Sequence, residues 1–277
     1  MNQRMPAQQA MKARQLYAQG IAQHQAGNLA DAQARYRQVL ALMPRQPDAL
    51  HMLGVTEFQR QRFDDAARLL RDASTLMPSN ALVHFNLGNA LREQRKLDEA
   101  AQAFRKAVDL QPTNLDALKN LGNVLKEQNR ISDALACYDR LLTTDPHHIP
   151  TLNNKAVALL TQGRLAEGWD LYDYRLQFDH GRPGEAMATP PALSGLPDWR
   201  GQALEQPLLV LPEQGLGDQV FYGAMLADLA LAGIPAHAML DGRLVDLFRR
   251  SFPQLRFGAD SASDAATLSA QAFGAKI

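Results

Sequence analysis

The chain has 277 residues, enough for more than one compact unit, and its 46% apolar content is that of a globular protein. Its 29 basic and 29 acidic side chains cancel, which excludes the cationic surplus of a protein that binds nucleic acid by neutralising phosphates. The single cysteine, Cys137, excludes a disulfide framework and points to a reducing, cytoplasmic setting, and no apolar run reaches the roughly 18 residues that a membrane span needs.

Residues 1–12 are polar and alanine-rich, carry no apolar signal-peptide core, and read as a flexible lead-in. Residues 13–178 are periodic. Gly20, Gly54, Gly88 and Gly122 return every 34 residues, and Ala156 holds the next place. Ala32, Ala66, Ala100, Ala134 and Gly168 keep the same period, as do Tyr36, Leu70, Phe104, Tyr138 and Tyr172, and Pro44, Pro78, Pro112 and Pro146. The small residues suit helix crossings, the large ones are expected to fill the gaps between neighbouring repeats, and proline cannot continue a helix and so closes each unit. In the third unit the spacing predicts helices over Ala81–Gln94 and Leu97–Leu110. This pattern resembles the tetratricopeptide repeat. The resemblance implies an all-α solenoid of five helix pairs whose first helices line a concave groove, with peptide or protein segments as partners.

Five asparagines keep the same clock. Asn86, Asn120 and Asn154 stand two residues before the small residue, and Asn89 and Asn123 one residue after it. Asparagine is a poor helix former, so its repetition asks for another explanation. An amide both donates and accepts, and a row of amides can hold the backbone of an extended peptide without reading its sequence. A second option, a chaperone-docking module that captures a terminal carboxylate, would draw on Lys119, Lys126 and Arg92, with Asp116 and Glu127 diluting the field. The seven histidines form no metal-ligand spacing, and Cys137 has no histidine partner within sequence reach. No metal and no cofactor is expected. His51 and His84 read as packing or surface residues.

The fifth unit departs from the pattern. It carries Lys155 at an apolar place and an aromatic load at Trp169, Tyr172 and Tyr174, as a terminal repeat that packs on a following domain would. Residues 179–207, rich in proline and glycine, read as a linker ordered in part by Trp199. From Leu208 the order becomes strand (Leu208–Leu211), helix (Val220–Ala232), strand (Ala236–Asp241), helix (Leu244–Ser251) and a strand starting at Leu255. Such alternation predicts a parallel, doubly wound unit over 208–277.

The loop between the first strand and helix holds Glu213, Gly215, Gly217 and Asp218. Val220 stands where a dinucleotide fingerprint needs its third glycine, and a carboxylate at the helix N-cap repels phosphate. Asp218 is a candidate general base for an acceptor hydroxyl, with Glu213 a second carboxylate at the same strand end. The 120–128 stretch is similar to the repeats of O-GlcNAc transferase, and Pro197–Gly201 with the Glu213–Asp218 loop resembles bacterial repeat proteins fused to a glycosyltransferase-like domain. Leu216-Gly217-Asp218 looks like the first loop of heptosyltransferases, where the matching aspartate would be the base. This resemblance implies a Rossmann-like unit, the N-terminal half of a GT-B transferase. Such enzymes bind the sugar nucleotide in a second half, and residues 208–277 supply only 70 residues. The expectation is therefore a binding scaffold with an incomplete transferase-like tail, the alternative being a glycosyltransferase fragment or split subunit that meets a sugar nucleotide once a second domain is supplied.

Overall fold

The computed structural model describes residues 7–172, 174, 196–197, 199, 201–211, 220, 223, 225–259, 273 and 275–276. The chain divides into two compact units, Met1–Phe178 and Asp179–Ile277.

The described part of the first unit is ten helices in five pairs. They are α1 (Ala7–Gln25) with α2 (Leu29–Leu42), α3 (Pro47–Gln59) with α4 (Phe63–Leu76), α5 (Ala81–Glu93) with α6 (Leu97–Leu110), α7 (Leu115–Glu127) with α8 (Ile131–Thr144), and α9 (Ile149–Thr161) with α10 (Leu165–Tyr172). Helix α1 begins at Ala7, so residues 7–12 are helical, not a loose lead-in. Alanine, glutamine, methionine and lysine favour helix even where little packs against them. Asn80 and Asn114 cap α5 and α7 by accepting from backbone N–H groups of the first turn. The closing prolines follow even-numbered helices that end at Leu42, Leu76, Leu110 and Thr144.

The small and large positions meet inside each repeat. A Cβ at Gly20 would lie 2.6 Å from the Tyr36 ring, and one at Gly122 would lie 2.5 Å from the Tyr138 ring. Gly54 faces Leu70, and Gly88 faces Phe104, in the same way. The large residue is thus a cap on its own repeat's glycine, and not only a filler between repeats, although Tyr36 also clusters with Leu50 and Leu53 of the next pair. In the fifth repeat the close approach shifts to Gly168 against Leu160, which leaves room for Ala156.

The turn inside each pair passes through one left-handed residue, at Gly27, Gln61, Arg95, Asn129 and Gly163, again 34 apart. Glycine meets this requirement freely, whereas Gln61 and Arg95 hold φ of 61° against the usual penalty on a Cβ.

One junction breaks the apolar rule. At the phase where later repeats bury Leu91, Leu125 and Leu159, the second repeat buries Glu57, and where they bury Ala67, Ala101 and Leu135, the first buries Gln33. The two side chains hydrogen-bond to each other, and Arg37 pairs with Glu57 at 3.2 Å.

The second unit holds a parallel sheet of β1 (Leu208–Val210), β2 (Ala236–Leu240), β3 (Arg256–Ala259) and β4 (Ala275–Lys276), in the order β3-β2-β1-β4. Helices α11 (Met225–Leu231) and α12 (Gly242–Ser251) connect them. One face of the sheet, with Leu208, Ala238 and Phe257, packs against Leu244, Val245 and Phe248 of α12. Leu209 and Met239 of the other face pack with Leu196 and Phe273. Trp199 packs against the first of these clusters, its backbone N–H donates to Lys276, and its indole N–H donates to Gln202. The alternation of strands and helices thus delivers the parallel pairing it predicts, while β4 came with no sequence signal.

Candidate functional site

From α3 onward the odd-numbered helices form one layer: α3 touches α5, α5 touches α7 and α7 touches α9, while successive even-numbered helices pack against each other less closely. That spacing makes the odd-numbered layer the inner side of the stack. All five asparagines lie on it, half-buried.

Each asparagine is tied by one end of its amide. Asn86 Nδ2 donates to His51 Nε2 at 2.8 Å, joining α5 to α3. Asn120 Nδ2 donates to Asn89 Oδ1 at 2.9 Å, joining α7 to α5. Lys126 Nζ donates to Asn154 Oδ1 at 3.3 Å, joining α7 to α9, and the Tyr138 hydroxyl donates to Asn123 Oδ1 at 2.8 Å. The asparagines are thus partly absorbed in holding repeats together, a role that the sequence did not suggest. The other amide end stays available. Oδ1 of Asn86 and of Asn120, and Nδ2 of Asn89, Asn123 and Asn154, have no hydrogen-bond partner among the described residues and are not fully buried.

Electrostatics follows from this packing. His51 is buried, and that burial lowers its pKa although Asp48 opposes the shift. The neutral ring is the form that can accept from Asn86. Burial likewise raises the Tyr138 hydroxyl, which keeps its proton for Asn123.

A pocket of about 420 Å³ opens on the same layer, lined by Arg92, Glu93, Arg95, Asn123, Lys126, Glu127 and Asn154. Arg95 pairs with Glu127 at 2.8 Å and Arg92 with Glu93 at 3.2 Å. Lys126 makes no ion pair among the described residues, and burial lowers its pKa against the pull of Glu127. Of the three cations considered for a carboxylate clamp, Lys119 is occupied by Asp116 at 2.7 Å, so only Arg92 and Lys126 reach the pocket.

Glu213, Gly215, Gly217 and Asp218 lie outside the described residues. Among the described residues no group of His, Cys, Asp and Glu is placed to hold a metal ion, and no helix is long and apolar enough to cross a membrane. Cys137 is half-buried, and burial raises its thiol.

Models of the tetratricopeptide repeat match residues 17–73 and 51–114, and a further one matches 91–151. No curated protein matches the chain. Among solved structures, MamA is 21% identical with a TM-score of 0.58, and the match covers 66% of this chain and 100% of that one. YrrB, described as a tetratricopeptide protein with an unusual peptide-binding site, is 18% identical with a TM-score of 0.55, the match covering 60% of this chain and 85% of that one. PilF of Pseudomonas aeruginosa is 23% identical with a TM-score of 0.53, covering 61% and 77%. These matches lend no support to the transferase resemblance of the second unit. With ten paired helices on a 34-residue period, the described helical unit of this chain is a tetratricopeptide-repeat solenoid.

Proposed function

We propose that the inner layer of the helical unit binds an extended segment of a partner protein. The observation that carries this is the row of half-satisfied amides: Asn86, Asn120 and Asn154 stand one repeat apart, each with one amide end tied to a neighbouring helix and the other left free. The tied end fixes the rotamer, so the free end loses little entropy when it meets a peptide group. Donors and acceptors at repeat spacing suit a backbone more than any one side chain, and YrrB lends the reading a structural precedent.

The test is selection of displayed random dodecapeptides on the full chain, followed by titration of the selected peptides against an Asn86→Ala/Asn120→Ala/Asn154→Ala variant. A tenfold or greater loss supports the groove. Unchanged affinity, or no selected peptide, removes it.

A second reading, a transferase-type activity of the second unit, has one observation in its favour. The strand order β3-β2-β1-β4 is that of the first strands of a doubly wound sheet, ligands of such sheets sit beyond the strand ends, and Asp218 comes eight residues after β1 in the sequence. Calorimetric titration with common sugar nucleotides tests it, and absence of heat with all of them rules it out for this chain.

A further inference from the structure

The free ends of the amides are not distributed evenly along the inner layer. Along the row, Asn86 and Asn120 spend a donor on a neighbour and keep Oδ1, while Asn89 accepts and keeps Nδ2. In the pocket between α5, α7 and α9 both asparagines keep Nδ2. Lysine can only donate, so Asn154 must turn Oδ1 to Lys126 and leave Nδ2 free; Asn123 gives Oδ1 to Tyr138 and also leaves Nδ2 free. Both pocket carboxylates, Glu93 and Glu127, are already engaged by Arg92 and Arg95. What the pocket offers a ligand is therefore two amide N–H₂ groups, the remaining hydrogens of the Lys126 ammonium, and the outer edges of two guanidinium groups.

The sequence places this donor set narrowly. Four residues after the small residue the successive repeats carry His24, Phe58, Arg92, Lys126 and Leu160, so the cations occupy two adjacent central repeats with apolar residues on either side. Lys126 is half-buried and makes no ion pair among the described residues, and a cation already partly stripped of water gains more from a carboxylate than a fully hydrated one does.

We propose that this pocket takes the side-chain carboxylate of an aspartate or glutamate within the bound segment. The pocket draws its walls from α5, α7 and α9, the same three helices that carry Asn86, Asn120 and Asn154, so a backbone running along the row passes beside it and delivers a side chain, not a chain end. The inference rests on the groove reading above and adds to it a preference for acidic segments.

The experiment uses the same selection on the full chain, with both ends of the displayed peptides blocked. The expected result is enrichment of Asp or Glu at one fixed position. In the synthetic amidated peptide, Glu→Gln at that position should weaken binding about tenfold on the wild-type chain and less than twofold on Lys126→Met, while Lys126→Arg retains the preference. Circular dichroism establishes that the variants fold, and Lys126→Gln repeats the measurement with a polar isostere. Selected peptides that bind through the asparagines but show no acidic preference, or a preference that survives Lys126→Met and Lys126→Gln, would overturn the pocket while leaving the groove intact. A Gln peptide restored by a free C-terminal carboxylate would assign the pocket to a chain end and overturn it too. If no peptide is selected, both readings fall.

Discussion

Gly122→Ala is the substitution for which the structure gives the sharpest expectation. On helix propensity alone, alanine should stabilise α7 by about 1 kcal/mol. The added methyl, however, would lie 2.5 Å from Tyr138 Cε1 and within 3.1 Å of two further ring atoms, where ordinary contact begins near 3.4 Å. The ring cannot step aside cheaply, because Tyr138 is fully buried and its hydroxyl is bonded to Asn123. Overpacking of this kind costs about 1–3 kcal/mol, and losing the Tyr138–Asn123 bond adds about 1 kcal/mol. Set against the propensity gain, the net loss is about 1–3 kcal/mol, or a fall in midpoint of roughly 3–10 °C for a unit of this size. Urea and thermal unfolding followed by far-ultraviolet circular dichroism measure it. The same Gly122→Ala change in a Tyr138→Ala background removes the clash, so there its sign should reverse to a gain. If Gly122→Ala stabilises the wild-type chain, the argument that Tyr138 dictates glycine is wrong.

Gln61→Gly should stabilise by about 1 kcal/mol, since Gln61 holds a left-handed conformation that glycine adopts without a Cβ penalty, and a lower midpoint in urea would contradict this. At the Gln33–Glu57 junction, Glu57→Leu alone strands Gln33 in an apolar seam, whereas Gln33→Ala with Glu57→Leu installs the residues other repeats carry; the double variant should exceed either single by at least about 1 kcal/mol in a double-mutant cycle. Stability should also fall on acidification. The folded pKa of His51 lies below its unfolded value near 6.5, so the unfolded state takes up the proton first and stability declines as pH drops from about 7 through the folded value. His51→Gln should flatten that part of the pH profile, and an unaltered slope would show that His51 is not its source.

The period made the helix pairs, their order and the layer of the asparagines legible, because one residue type recurs wherever the geometry recurs. It did not reveal which side chains bond. The three links between odd-numbered helices span 35, 31 and 28 residues, from His51 to Asn86, Asn89 to Asn120 and Lys126 to Asn154, so the offset between these helices drifts against the 34-residue clock. The pocket was hidden for the same reason: Arg92, Asn123 and Asn154 belong to three repeats and three different phases. Gln33 and Glu57 did carry a readable signal, a polar pair at two apolar phases. In the second unit, short strands flanked by turns were visible as apolar runs, whereas the two-residue β4 is too brief to stand out from an alanine-rich stretch.

The Gln33–Glu57 contact also gives the solenoid a direction for rearrangement. At the later seams the same two phases are apolar, Ala67 with Leu91, Ala101 with Leu125 and Leu135 with Leu159, so a repeat duplicated or excised by recombination there would meet a compatible neighbour at these positions. At the first seam a transplanted repeat would bring an alanine or leucine against the Glu57 carboxylate, or an apolar face against Gln33, and leave a buried polar group without its mate. Growth and loss of repeats should therefore be tolerated toward α9 and resisted at α2–α3, which makes the first two repeats a matched pair that travels together.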